Sequence, residues 1–273
     1  MRQGILELRE FYASRLGMAA RRMIARKVNE AWGGVTDQDV LALGYATPFL
    51  DDFGSTARRA VSAMPAAQGV EVWPVGGRNR SCLAEEATLP FPNALFDRIL
   101  AVHALEESDN PLALLRELSR VLAPPGRMIL AVTARHGLWA NAEATPFGHG
   151  RPFSRRQLER LVREAELEPV GWTRALYVPP VAWACGWAEG FEQIGARLFA
   201  PFAGVILMEA VKQSFAVRPK GQRSRVRAPM RPAYQPVPVA GRTASAGRSV
   251  SRLLEPRMKR SNLRRAGWKG SSS

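Results

Sequence analysis

Residues 89–132 read LPFPNALFDRILAVHALEESDNPLALLRELSRVLAPPGRMILAV, and this stretch contains the strongest structural signals in the chain. The apolar run RILAVH, at 98–103, does not alternate with polar residues, which is typical of a central parallel strand buried on both faces. Asn110 and Pro111 predict a helix start, because they suit the N-cap and the first helical position. Pro124-Pro125-Gly126 predicts a turn that ends this helix, and the apolar run MILAV, at 128–132, predicts a second buried strand. Strand, helix and parallel strand make a βαβ unit, whose ligands bind beyond the carboxyl ends of the strands.

Three motifs in this stretch carry a family resemblance. The segments LPFPNALFDRIL, HALEE and LLRELSRVLAPPGRMIL occur in the order found in class I S-adenosylmethionine-dependent methyltransferases, and they resemble the type 11 group in particular. The resemblance covers residues 40–175. It implies an α/β fold with a seven-stranded, Rossmann-like sheet, mostly parallel with an antiparallel last strand and with helices on both faces. It also implies S-adenosyl-L-methionine as the cofactor and a methyltransferase activity.

The chain divides into three predicted regions. Residues 1–34 have apolar positions at helical spacing between charged ones, which predicts amphipathic helices. Residues 35–216 form the predicted methyltransferase-like domain, with a substrate loop at 137–157 and an inserted helix at 179–202. Residues 217–273 are rich in Pro, Arg, Ser, Gly and Ala and poor in large apolar residues, so they predict a disordered tail.

The formal net charge of +15 comes mostly from the predicted tail. Residues 217–273 contain 15 Lys or Arg against one acidic residue, which leaves 24 basic and 23 acidic residues in the rest. Such a tail is suited to weak, non-specific contact with nucleic acid or an acidic surface, and its few aromatic residues do not favour base stacking. The folded part is close to neutral.

The cysteine content and the hydropathy narrow the classes of protein to which the chain can belong. Cys82 and Cys185 are far apart and belong to no C-x-x-C pair, so the sequence predicts no disulfide framework and no metal site. No apolar run reaches the roughly 20 residues that span a bilayer. We therefore expect a cytoplasmic protein without a membrane span.

The resemblance assigns one end of the cofactor to the residues after the first predicted strand. The family has a G-x-G-x-G motif there, and this chain has GYATPFL, so the predicted cofactor contacts are Gly44, Tyr45 and Ala46. The motif departs from the family pattern, since Ala46 replaces the second glycine and Pro48 the third. The acid that the family usually has at the end of the second strand, for the ribose hydroxyls, is also missing.

The resemblance assigns the adenine end of the cofactor to the residues after the third predicted strand, which is expected at residues 81–84. Glu85 matches the family acid that accepts a hydrogen bond from the adenine amino group, and Glu86 matches the next position. A solvated acid beside a turn is the alternative for Glu85.

Four residues are candidates for contact with the methyl acceptor. His103 ends the fourth predicted strand, and an imidazole with an ordinary pKa of about 6.5 suits a general base; a packed histidine at a strand end is the alternative. In the loop at 137–157, Trp139, His149 and Arg151 are the predicted substrate contacts, and His149 is a second catalytic candidate. A loop that packs only on itself is the alternative there.

Three functions are consistent with the sequence. The first is methyl transfer from S-adenosylmethionine to a small-molecule acceptor. The second is a binding or regulatory protein that keeps the fold without catalysis, and it predicts no cofactor affinity. The third is a nucleic-acid methyltransferase assisted by the basic tail, which ranks lower because the folded part is nearly neutral and has no Asn/Asp-Pro-Pro-aromatic motif.

Overall fold

The structure, a computed structural model, describes residues 2–51, 53–181 and 203–213. A seven-stranded sheet lies at the centre of this part of the chain, in the spatial order β3-β2-β1-β4-β5-β7-β6. The strands are β1 (Asp39–Gly44), β2 (Arg59–Pro65), β3 (Ser81–Ala84), β4 (Phe96–Val102), β5 (Leu122–Thr133), β6 (Glu168–Ala175) and β7 (Val205–Val211).

The direction of the strands follows the predicted pattern. The neighbours among β1 to β5 pair in parallel, whereas β7 pairs antiparallel with both β5 and β6. The chain order reverses at β1, so the carboxyl ends of β1 and β4 flank the topological switch point where open α/β sheets bind ligands. The predicted Rossmann-like methyltransferase fold is confirmed.

Five helices are present in the described part of the chain: α1 (Ile5–Ala13), α2 (Arg15–Trp32), α3 (Thr47–Leu50), α4 (Pro111–Val121) and α5 (Arg155–Glu164). The side chain of Asn110 accepts a hydrogen bond from the backbone N–H of Ala113, so the predicted N-cap of α4 forms. Ser154 and Gln157 form a capping box at α5. Gly33 ends α2 in the left-handed conformation, with φ of 68°.

Both faces of the sheet are covered by helices. Ile99 and Leu100 are neighbours on β4, but their side chains belong to separate buried clusters because successive strand residues point to opposite faces. Leu100 packs in the cluster that contains Leu8 and Ile24 from the N-terminal helices. Ile99 packs in the cluster formed with α4 and α5. This two-sided burial explains why the strand lacks apolar-polar alternation.

Two local features of the fold involve proline residues. Strand β5 begins at Leu122, directly after α4, so the predicted proline-glycine turn lies within the strand, where its pairing with β4 is irregular between Phe96 and Arg98. The helix after β1 has only four residues. Pro48 lies in the first turn of α3, where its missing N–H costs no hydrogen bond.

Parts of the predicted domain organisation lie outside the described residues. Nearly all of the predicted inserted helix, from residue 182 onward, and the whole predicted tail at 217–273 are in this category. None of the helices within the described ranges has the length and apolar character needed to cross a bilayer.

Candidate functional site

A cavity of about 600 Å³ lies at the carboxyl edge of the sheet. Residues that follow β2, β3 and β4 line it, together with the first turn of α4 and residues 150–151. Charged side chains contribute much of the lining: the acids are Glu85, Glu86, Glu106, Glu107 and Asp109, and the bases are Arg2 and Arg151. The cavity has the size of a typical small-molecule site, about 300–1,000 Å³, and its acids favour a positively charged ligand.

Arg2 lies in the wall of this cavity. Its Nη2 donates to Oε1 of Glu86 at 2.5 Å and to the carbonyl oxygen of Ala104 at 3.3 Å, and its Nε lies 3.5 Å from Oε2 of Glu107. The Arg2 side chain is only 7% exposed. The guanidinium therefore joins the loops after β3 and β4, and it neutralises two of the five acids.

Glu106 is the most deeply buried acid of the cavity wall, with 3% exposure. Its Oε1 accepts a hydrogen bond from the backbone N–H of Thr133 at 2.9 Å, and its Oε2 has no hydrogen-bond partner among the residues that the structure describes. Burial raises the pKa of the Glu106 carboxyl to about 7, because the charged form loses its solvation. Sequence reasoning missed this residue, since HALEE offers two adjacent glutamates and no local signal separates them.

Glu85 differs from its neighbours in having a free carboxylate. A turn formed by the hydrogen bond from the Thr88 N–H to the Glu85 carbonyl oxygen holds its backbone. Its side chain is exposed, and within the described ranges no ion pair or hydrogen bond engages it. The carboxylate is therefore available to a ligand in the cavity.

The residues of the glycine motif lie at the end of β1 and do not line the cavity. Gly44 has φ of 76°, and a Cβ atom there would meet the Val102 carbonyl oxygen at 2.3 Å. The Tyr45 ring packs 5.4 Å from the Tyr12 ring, between centroids, and Ala46 is fully buried. The glycine at 44 is thus required by the close approach of β4, whatever its role toward a ligand.

Glu71 lies in the connection between β2 and β3, and its carboxylate contacts residues of the glycine motif. Its Oε1 accepts from the Thr47 hydroxyl at 2.7 Å, and its Oε2 accepts from the Tyr45 hydroxyl at 3.5 Å. The end of β2, where the family usually has an acid for the ribose hydroxyls, has Met64 and Pro65 instead. Glu71 lies six residues beyond Pro65, so only the folded loop shows its position.

His103 lies directly after β4 at the switch point and is 2% exposed. It adopts φ of 52°, and its Nε2 is hydrogen-bonded to the Tyr12 hydroxyl at 2.8 Å. Burial lowers the pKa of His103 to about 3, so the ring is neutral near pH 7. The Phe147 ring also covers it, at 4.7 Å between centroids. Its catalytic role stays a prediction.

We expect Tyr12→Phe to lower the free energy of unfolding by about 1–3 kcal/mol, because it leaves the buried Nε2 of His103 without a partner. Tyr45→Phe is the matched control, since its hydroxyl makes only a 3.5 Å contact with Glu71, and we expect it to cost less than about 1 kcal/mol. Urea unfolding at pH 7 measures both values. Equal losses in the two variants would show that the Tyr12–His103 hydrogen bond adds nothing to stability.

The three predicted substrate contacts occupy different environments. Arg151 lines the cavity, and its Nη2 donates to the carbonyl oxygens of Ser108 and Asp109 at 2.7 and 3.3 Å. His149 lies outside the lining, with Nε2 at 2.8 Å from the Glu143 carbonyl oxygen. Trp139 is fully buried and donates its ring N–H to the Val178 carbonyl oxygen at 2.7 Å.

The structure therefore brings some of the predicted site residues together and separates others. Glu85, Glu86 and Arg151 meet at one cavity, whereas the other predicted residues lie outside its lining. The functional roles of all of them stay predictions.

Fold and site together define a class of protein: a sheet of the order 3-2-1-4-5-7-6 with a cavity at its carboxyl edge is the class I methyltransferase architecture. The sequence model described as "Methyltransferase domain" matches residues 21–171, which is more than half of the chain. The chain belongs to this methyltransferase domain family. The prediction of a class I methyltransferase, an enzyme, is thereby confirmed.

Solved structures show the same fold at low sequence identity. A SAM-dependent methyltransferase of Thermotoga maritima is 17% identical, with a TM-score of 0.51, and the match covers 77% of this chain and 96% of that one. The cyclase SpnF is 22% identical, with a TM-score of 0.53 and coverages of 72% and 82%. A geranyl diphosphate methyltransferase in complex with SAM is 14% identical, with a TM-score of 0.51 and coverages of 69% and 84%. No curated protein matches the chain.

Proposed function

We propose that the protein transfers the methyl group of S-adenosylmethionine to a small-molecule acceptor. The observation that carries this proposal is the cavity of about 600 Å³ at the carboxyl ends of β2, β3 and β4, with the free carboxylate of Glu85 in its wall. The Thermotoga maritima protein and the geranyl diphosphate methyltransferase, which share the fold, support the choice of cofactor.

The residues of the cavity fit the chemistry of this cofactor. S-adenosylmethionine carries a sulfonium and an ammonium group against one carboxylate, so its net charge is positive. Five acids and two bases line the cavity, which favours such a ligand. The adenine amino group is a donor, and Glu85 offers an unengaged acceptor. When bound, the cofactor supplies an electrophilic methyl group on its sulfonium.

In this proposal the chain contributes binding and orientation. Glu85 and Glu86 hold the adenine end, and the predicted contacts Gly44, Tyr45 and Ala46 shape the end of β1. His149 and Arg151 contact the acceptor from the loop after β5. Methyl transfer is an in-line displacement, so holding the two reactants aligned is the main requirement. Arg2 joins the loops after β3 and β4 in the wall of the cavity.

A non-catalytic binding protein is the second candidate, and one observation favours it. The Tyr12 ring covers the end of β1, packed between the rings of Tyr45, Phe49 and His103. In this arrangement the residues of the glycine motif do not reach the cavity. The two candidates differ in whether the protein binds S-adenosylmethionine.

Calorimetric titration with S-adenosylmethionine and S-adenosylhomocysteine tests the proposal, and Glu85→Ala tests the site. We expect the wild type to bind both ligands and Glu85→Ala to bind each about tenfold more weakly, since a hydrogen bond to a charged group contributes about 1.5–3 kcal/mol. Glu164→Ala, on the exposed surface of α5, is the control and should bind as the wild type does.

Two results would contradict these expectations. A folded wild type that binds neither ligand at millimolar concentration would favour the non-catalytic candidate. Wild-type affinity in Glu85→Ala would keep the proposed function and remove Glu85 from the cofactor site.

A further inference from the structure

Glu106 has features that the roles proposed above do not use. It follows β4, lines the cavity and is 3% exposed. One carboxyl oxygen accepts a hydrogen bond from the Thr133 backbone N–H at the end of β5, and the other, Oε2, has no hydrogen-bond partner in the described part of the chain. A buried acid with an unsatisfied oxygen costs stability, because the charged form loses water without gaining a counter-ion. This cost suggests a role in binding.

The elements packed around Glu106 provide no cation for it within the described ranges. From α1 comes the neutral Tyr12 hydroxyl, and from the end of β4 the neutral ring of His103, which are hydrogen-bonded to each other. On its own loop the neighbouring charge is Glu107, an acid. From β5 comes only the backbone N–H of Thr133.

The two nearby arginines are engaged elsewhere. The guanidinium of Arg2 pairs with Glu86 and Glu107. Arg151 donates its backbone N–H to the Glu106 carbonyl oxygen at 2.7 Å, but its guanidinium donates to the carbonyl oxygens of Ser108 and Asp109. Burial without a counter-ion raises the pKa of Glu106 to about 7, so near neutral pH the carboxyl is divided between its two forms.

We propose that Glu106 recognises the sulfonium charge of the cofactor and releases its proton to solvent when the charged cofactor binds. This inference rests on the proposed function. The sulfonium and the carboxylate attract each other across a cavity wall of low dielectric constant, where the attraction is stronger than in water. The product, S-adenosylhomocysteine, has a neutral thioether in place of the sulfonium. Glu106 therefore favours the substrate form of the cofactor over the product form, which assists product release.

The pair of ligands gives a direct test, because they differ in the methyl group and its charge. For a ligand that binds only the ionised carboxyl, the linkage relation gives an affinity about tenfold higher at pH 8 than at pH 6. We expect this increase for S-adenosylmethionine and a much smaller one for S-adenosylhomocysteine. Titrations at pH 7 in phosphate and in Tris should show release of about half a proton with the charged ligand.

Glu106→Gln should remove both the proton release and the pH dependence that is specific to the charged ligand. Asp109→Asn is the matched control, since it removes an exposed acid from the same cavity and should leave both effects in place. The folding of Glu106→Gln can be checked without ligand. The folded pKa of Glu106 is above its unfolded value of 4.5, so wild-type stability should fall as pH rises from 4.5 to 7, and the variant should lack this fall.

The outcomes separate this inference from the function on which it rests. Binding of both ligands with the same pH dependence, or proton release that persists in Glu106→Gln, would overturn the inference and leave the proposed function intact. If neither ligand binds to the folded wild type, the inference about Glu106 and the proposed function are both overturned. Proton release confined to S-adenosylmethionine and lost in Glu106→Gln would support the inference.

Discussion

Trp139→Ala is expected to lower the free energy of unfolding by about 3–5 kcal/mol, as large-to-small changes at buried aromatic residues do. The ring is fully buried, packs edge-on against Phe147 at 5.3 Å between centroids, and lies against Gly204. The substitution leaves a cavity and removes the donor of the hydrogen bond to the Val178 carbonyl oxygen. Chemical denaturation at pH 7 measures the loss.

Leu138→Ala is the control for this prediction. Leu138 precedes Trp139 in the same short turn and is 45% exposed, so we expect its truncation to cost less than about 0.5 kcal/mol. The pair also tests the predicted substrate contact of Trp139. A Trp139→Ala variant with wild-type stability but weakened ligand binding would contradict the core role and support substrate contact.

Gly44→Ala is expected to destabilise the protein by at least about 3 kcal/mol, because two costs add at this position. The backbone has φ of 76°, which strains any residue with a Cβ atom. The new Cβ would also meet the Val102 carbonyl oxygen at 2.3 Å, so β1 and β4 must separate at the centre of the sheet.

Gly76→Ala separates these two costs. Gly76 has φ of 75°, almost the same as Gly44, but a Cβ atom there meets nothing within 4 Å. We expect Gly76→Ala to lower the free energy of unfolding only by the cost of backbone strain, about 1–2 kcal/mol. Equal losses of unfolding free energy in the two variants would show that the close approach to Val102 adds nothing to the cost of Gly44→Ala.

Several parts of the fold were predictable because their signals are local. The strand predicted at residues 81–84 and the start of α4 at Asn110-Pro111 agree with the structure. Hydrophobic period and capping residues act over a few neighbouring positions, so they can be recognised in a short window. The residues of the turn predicted at Pro124-Pro125-Gly126 lie within β5, but the ladder with β4 skips them, since Leu122 pairs with Phe96 and Arg127 pairs with Arg98.

Within the candidate site, the sequence located some residues but not their partners. Glu85, Glu86 and Arg151 were singled out and do meet at one cavity. Arg2, Glu71 and Glu106 were not, although each has a defined position in the folded chain. An arginine near a chain end and one of two adjacent glutamates carry no local signal of burial. Their environment depends on elements that are remote in the chain.

The sequence by itself determined the class of fold, because the order of buried strands and capped helices is encoded in local patterns and in the motifs of residues 89–132. The tertiary structure alone decided the electrostatics at the carboxyl edge. Arg2 pairs with Glu86 across 84 positions of sequence, and Tyr12 pairs with His103 across 91. Burial keeps His103 neutral near pH 7, and this burial exists only after distant segments have packed together.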